Sequence, residues 1–302
     1  MKRDDEGAIH TRAEAAKRAL SAGGAGRFVE TTAGPMFVAR RGEGPPVVAL
    51  HAIGHGSGDF EPLATRLGAR YSLHMIDWPG HGQSLARCPV SAGSYAKLLD
   101  EVIPAVLGGE TRPILLLGNS IGGAAAIAWS AAHPSRVAGL VLCDPGGLAP
   151  IGAFERAAIG GFARFFAAGA SGPWWFRRAY AAYYRWVLPA AEARDRRARI
   201  VAAGPAMASA LAEAWRSFAR PEADLRAIAA KLSMPVWLAW SASDHVVPYR
   251  KSRAAAERIP LHEHTAFAGG HAPFLECPDD FAEQFSAWVA RAVDPRSRAA
   301  AA

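Results

Sequence analysis

Six short apolar runs, separated by stretches of helical composition, constrain the fold of this 302-residue chain more than any other feature. They occupy residues 47–50, 72–76, 114–117, 140–142, 236–240 and 264–267. Unbroken apolarity over a few residues is the mark of a strand buried on both faces, and strands that alternate with helices imply a mostly parallel sheet with helices on both sides. Two strand-like runs, 27–31 and 36–40, precede these and are divided by Ala33-Gly34-Pro35, which reads as a hairpin-type turn. An eight-stranded α/β sheet follows.

The alternation breaks once. Between Leu142 and Val236 no comparable strand occurs, and residues 148–232 are rich in Ala, Arg and aromatic side chains, with Pro173, Pro189, Pro205 and Pro221 spaced as helix punctuation. The segment reads as a helical cap of four or five helices inserted after the sixth strand. It holds 13 of the 28 aromatic residues, so it needs something apolar to cover. Most rings are assigned to packing on the body and a few to a pocket, with Trp174, Trp175, Tyr183 and Tyr184 as substrate-binding candidates. The same segment carries twelve Arg and one Lys against six acids, and so contains the whole formal excess of +7. Scattered solvent-facing Arg is the plain explanation; attraction of an anionic substrate is the functional one.

These divisions give a flexible extension over 1–26, a body over 27–147 and 233–292, a cap over 148–232 and a disordered tail over 293–302. About half the residues are apolar, enough for one large core with a lid. Cys88, Cys143 and Cys277 are too few and too scattered for a disulfide framework or a Cys-rich zinc site, which suggests a reducing compartment. The N-terminal residues lack an apolar signal core, and no stretch reaches the roughly 20 apolar residues of a spanning helix. A cytoplasmic protein is expected. No nucleic-acid module accompanies the positive charge, and no metal or organic cofactor is implied.

Chemistry concentrates in three places. Leu115-Leu116-Leu117-Gly118-Asn119-Ser120-Ile121-Gly122-Gly123 is an apolar strand running into G-x-S-x-G, followed by helix-forming residues 124–129. In that setting the serine is forced into a strained turn, and the small residues two positions to either side let strand and helix approach. A serine hydroxyl is a weak nucleophile until a base takes its proton, and the base must be held in the right tautomer by an acid. Asp244 lies just beyond the 236–240 run and His271 in a loop beyond the next, giving the order Ser, Asp, His. Asp144, after residues 140–143, is the alternative acid, and His245, beside Asp244, the alternative base. His133 precedes Pro134 at a helix end, while His262 and His264 flank the last strand.

With these motifs in this order, residues 27–292 resemble the α/β-hydrolase superfamily, of the capped type. His51-Ala52-Ile53-Gly54 is similar to the family's His-Gly loop after the third strand, although Ala52 stands where Gly is usual. The likeness implies an oxyanion hole built from the Ile53 and Ile121 amides, and places His51 and His81 in loops they shape. Asp77-Trp78-Pro79-Gly80-His81-Gly82-Gln83-Ser84 resembles the family's D-x-P-G-x-G-x-S turn, a structural signature. Relatives that displace halide or open epoxides carry Asp where Ser120 stands, so the resemblance implies acyl transfer instead.

The expected substrate is a carboxylic ester or lactone with a small or medium, partly apolar acyl group. The Gly-Asn-Ser-x-Gly-Gly elbow is also similar to hydrolases that cleave carbon–carbon bonds in vinylogous diketone ring-fission products, which makes Asn119 a further substrate-binding candidate. Those enzymes usually have Trp after the catalytic histidine, whereas Ala272 follows here. Asn119 as a turn or helix-end hydrogen-bonder is the competing reading. A non-catalytic small-molecule binder of the same fold is the alternative from another class.

Overall fold

The computed structural model describes residue 11 and residues 14–23, 25–109 and 112–293. Eight strands form one sheet: β1 (Gly26–Val29), β2 (Met36–Arg41), β3 (Pro46–Leu50), β4 (Ser72–Ile76), β5 (Ile114–Asn119), β6 (Val137–Cys143), β7 (Val236–Ser241) and β8 (His262–Phe267). Their spatial order is β1-β2-β4-β3-β5-β6-β7-β8. Only β2 runs against the rest, pairing antiparallel with β1 and β4; every other pairing is parallel.

The central strands are buried along their whole length because both faces are covered. Val47, Ala49, Leu73, Met75, Leu117, Val141 and Trp237 point to one side, where α1 (Glu61–Leu67) and α10 (Pro278–Trp288) supply Leu63, Phe281 and Phe285. Val48, Leu50, Ile76, Leu116, Leu140, Leu142 and Leu238 point to the other, against α2 (Ala92–Val106), α3 (Ile121–Ala132), α7 (Arg226–Ala229) and α8 (Tyr249–Ala256). The period-2 alternation of a strand thus feeds two separate cores, and neither face leaves a polar stripe that would mark a solvated side.

The cap follows β6. It consists of α4 (Ala153–Gly169), α5 (Phe176–Val187) and α6 (Arg194–Phe218), then the turn Pro221–Ala223 and the short α7. Pro173, Pro189 and Pro221 border helices as expected, but Pro205 lies inside α6. A proline there removes a helical hydrogen bond, at a cost of about 3 kcal/mol. The helix continues because Ile200, Ala203, Met207, Ala208 and Leu211, on both sides of it, are all buried in one core.

The N-terminal segment corrects the expectation of a loose extension. Leu20 and Ala22 are buried in the core, Ala22 N donates to Ser57 Oγ at 2.9 Å, and Gly58 N donates to Leu20 O at 3.0 Å. Residues 1–10 and 294–302, which cover most of the remaining extension and the tail, lie outside the described residues. No helix among the described residues is long and apolar enough to cross a membrane.

Candidate active site

Ser120 stands between the last residue of β5 and the first of α3, with φ 56° and ψ −117°. A side-chain-bearing residue in that region stores about 1–3 kcal/mol of strain. Close packing enforces it. A Cβ at Gly118 would lie 2.5 Å from Gly122 O, and one at Gly123 would lie 2.8 Å from Pro145 Cβ. Ser120 N donates to Cys143 O at 3.1 Å, and Ser120 O accepts from Gly146 N and Ala124 N, both at 3.0 Å. Ile121, as the first residue of α3, carries one of the amides that a helix leaves without an intrahelical acceptor. Negative charge is favoured at that end.

His271 follows β8 and is 4 % exposed. Its Nδ1 donates to Asp244 Oδ2 at 2.8 Å, while Asp244 Oδ1 accepts from Val246 N at 2.7 Å and Val247 N at 3.1 Å. The carboxylate is therefore filled by donors, and the His271 ring is fixed with Nδ1–H inward. The loop is held from two further sides. Glu276 accepts from Gly270 N at 2.7 Å and, through its other oxygen, from Ala190 N of the cap at 3.1 Å.

Asp144 comes close to the same pair: atoms of Asp144, Asp244 and His271 all lie within 4.8 Å of one another. Three such ligands could in principle hold a metal ion, but each is engaged elsewhere. Asp144 accepts from Ser241 N at 2.8 Å and faces Ser241 Oγ at 3.2 Å. Burial, and then the Asp244 charge, push its carboxyl well above the ordinary value. The imidazole is bonded to Asp244 instead.

Ile53 lies in the loop after β3 and lines the same cavity as Ser120 and His271. Two buried histidines shape this loop. His81 Nε2 accepts from Gly54 N at 3.1 Å while its Nδ1 donates to Pro79 O at 2.9 Å. His51 Nδ1 donates to Ala52 O at 2.7 Å and its Nε2 accepts from Trp78 N at 3.1 Å. Burial holds both rings down to about 3, so both are neutral. His245, the rival base, is exposed and stacks on Trp186 with centroids 5.1 Å apart.

The cavity has a volume of about 290 Å³ and runs between the body and the cap. Its wall is chiefly apolar, with Ile159, Phe162, Leu211 and Trp215 among the cap residues. Tyr183 and Tyr184 line it. The other three candidates do not. Trp174 is 83 % exposed, because it precedes α5 on the outside of the cap. Trp175 packs among Phe165 and Phe176 within the cap. Asn119 is fully buried, and its Nδ2 donates to Cys143 O at 3.0 Å and His271 O at 2.9 Å. It clamps the histidine's backbone to β6, which is the hydrogen-bonding reading of that residue.

None of the cap's arginines reaches the cavity wall, and ten of the twelve are exposed. The cap's basic excess therefore faces solvent, and the cationic side chains in the cavity wall are Arg250 and Lys251 of the body. Arg196 is the exception in burial: its guanidinium meets Asp59, which also holds His55. Burial alone would raise the Asp59 carboxyl, but Arg196 and His55 keep it below the ordinary carboxylate value. Sequence reasoning missed this cluster and Glu276. No local pattern announces them, since Arg196 and Asp59 are 137 positions apart and Glu276 and Ala190 are 86 apart.

A serine strained at a strand-to-helix elbow, on a sheet of this order beneath a helical cap, defines the architecture of an α/β hydrolase. The sequence agrees: residues 47–284 match the family described as "Alpha/beta hydrolase family", and the chain belongs to it. Among individual proteins, it is 30 % identical over 277 residues to a pimeloyl-[acyl-carrier protein] methyl ester esterase of Chromobacterium violaceum, covering 82 % of this chain and 94 % of that protein. A Xanthomonas campestris protein of the same name is 31 % identical over 268 residues, covering 82 % and 96 %. In fold the chain is similar to an esterase from Exiguobacterium antarcticum, with TM-score 0.76 and 19 % identity over 88 % of this chain and all of that one. It is also similar to an enol-lactonase from Burkholderia xenovorans, with TM-score 0.70 and 17 % identity over 87 % of this chain and all of that one.

Proposed function

We propose that this protein is a serine esterase in which Ser120 is the nucleophile, His271 the general base and Asp244 the acid that orients it. The observation that carries the proposal is the convergence on one cavity of a strained serine and a histidine whose inner nitrogen is held by a carboxylate. Ser120 Oγ attacks the ester carbonyl carbon as His271 Nε2 takes its proton; the carbonyl electrons move onto oxygen, where the Ile53 and Ile121 amides receive the charge. Each such amide is worth roughly 3 kcal/mol of barrier. The C–O bond then breaks, His271 returns the proton to the departing alcohol, and water releases the acyl group by the same steps.

The apolar cavity suits a small or medium acyl chain of a carboxylic ester or lactone. The relatives named as methyl ester esterases support the ester. The carbon–carbon reading leaned on Asn119, whose amide is turned toward the His271 backbone and away from the cavity. Reaction with a fluorophosphonate and turnover of a panel of short esters and lactones, in wild type and Ser120→Ala, test the proposal. Labelling and turnover are expected in the wild type, with loss of labelling and at least a ten-thousandfold fall in kcat, about the least a lost triad residue costs, in the variant. A folded wild-type protein that neither labels nor turns over any ester would favour a binding role.

A further inference from the structure

One buried polar group in the cavity wall has no part in acyl transfer. His55, two residues beyond Ile53, lines the cavity with Ser120 and His271 and is only 2 % exposed. Its ring is braced from behind: Nδ1 bonds to Asp59 Oδ2, and Asp59 Oδ1 is bonded by Arg196 Nε from α6. Arg196 is itself fixed, donating to Leu20 O at 2.6 Å and Gly56 O at 3.2 Å. Tyr184, another wall residue, lies against the ring with centroids 5.5 Å apart. So rigid a mounting is more than a wall needs.

The carboxylate of Asp59 can only accept, so Nδ1 of His55 carries the hydrogen, and in the neutral ring Nε2 is left as a lone-pair acceptor. Among the described residues no protein group pairs with Nε2. Nε2 therefore faces the cavity as an acceptor open to whatever occupies it. A substrate hydroxyl reaching this wall can donate to it, whereas a plain alkyl group leaves it facing carbon. The charges of Asp59 and Arg196 cancel behind the ring, so the brace adds no net charge to this part of the wall, which suits a neutral hydroxyl.

We propose that His55 is a specificity-determining residue that accepts a hydrogen bond from a hydroxyl group of the substrate, so that the enzyme prefers hydroxylated esters to plain ones. The inference rests on the serine-esterase reading. The hydroxyl belongs either to the acyl chain or to the alcohol, and two pairs of substrates separate these sources: methyl 3-hydroxybutanoate against methyl butanoate, and 2-hydroxyethyl butanoate against propyl butanoate.

The experiment measures kcat/KM for all four esters with wild type, His55→Leu and His55→Gln. In one pair the wild type is expected to favour the hydroxylated ester by about tenfold, the worth of one neutral hydrogen bond. The preference falls to near unity in His55→Leu, and His55→Gln, whose amide oxygen can accept, retains part of it. Equal kcat/KM within both pairs for the wild type overturns the proposal, as does an undiminished preference in His55→Leu. Should the leucine variant fail to fold, the wild-type ratios and the glutamine variant decide. Ser120→Ala, run beside them, separates the two readings: flat ratios with an inactive Ser120→Ala sink this inference alone, whereas full turnover by Ser120→Ala sinks the esterase reading beneath it.

Discussion

Mild acid is expected to destabilise this protein through His51 and His81, which sit 5.2 Å apart beneath the loop that carries Ile53. In the folded protein each ring donates from Nδ1 and accepts a backbone N–H at Nε2. A proton added to either ring would set N–H against N–H in a site without water-accessible surface. Burial holds both down to about 3, against 6.5 for an ordinary histidine. The unfolded chain therefore takes up protons below pH 6.5 that the native state refuses until about pH 3. Because the unfolded state binds more protons in that window, stability is complete above pH 6.5 and falls as the pH drops through it, by about 1.4 kcal/mol per pH unit for each ring.

At pH 5 the loss from one ring is about 2 kcal/mol. His81→Gln keeps a donor and an acceptor but cannot take up the proton. Urea unfolding of wild type and His81→Gln at pH 7.5, 6.0 and 5.0 isolates the effect, because the carboxylates shared by both proteins cancel in the difference. The variant starts less stable, and the gap should narrow by about 2 kcal/mol between pH 7.5 and 5.0. Parallel curves would refute the argument that His81 is neutral and buried by design of this loop.

Two further outcomes follow from the clamps around the site. Arg196→Met leaves the Asp59 charge buried without its guanidinium and should lose about 3–5 kcal/mol of unfolding free energy, while Arg196→Met with Asp59→Asn should recover much of it; equal losses in the single and double variants would contradict the pairing. Asn119→Ala frees the carbonyls of Cys143 and His271 and should cost about 1–3 kcal/mol of stability. Because the histidine is displaced and the cavity is not, kcat should fall more than KM rises, and a change confined to KM would return Asn119 to the role of a substrate contact.

The central strands were legible in the chain because burial on both faces writes itself as continuous apolarity, and β3 to β7 fall where the runs at 47–50 through 236–240 lie, whereas β8 at the sheet edge has only Phe267 buried. The proposed nucleophile, acid and base, Ser120, Asp244 and His271, could be nominated for a related reason: the chemistry demands particular residue types at strand ends, in a fixed order. Ile53 could be named from a short loop motif. What the sequence could not convey is direction. Trp174 and Tyr183 belong to the same aromatic cap, yet one faces solvent and the other the cavity, since a side chain's side is set by how helices dock.

Pro205 inside α6 and the packed Leu20 segment show local propensity yielding to tertiary burial. Local sequence therefore determined the central strands, the elbow and the order of the proposed reactive residues, because backbone geometry and chemistry act over a few positions. The Asp59–Arg196 pair behind His55, the Glu276 brace and the Asn119 clamp were decided by the tertiary structure alone, because each joins groups that only the folded chain brings within hydrogen-bond reach.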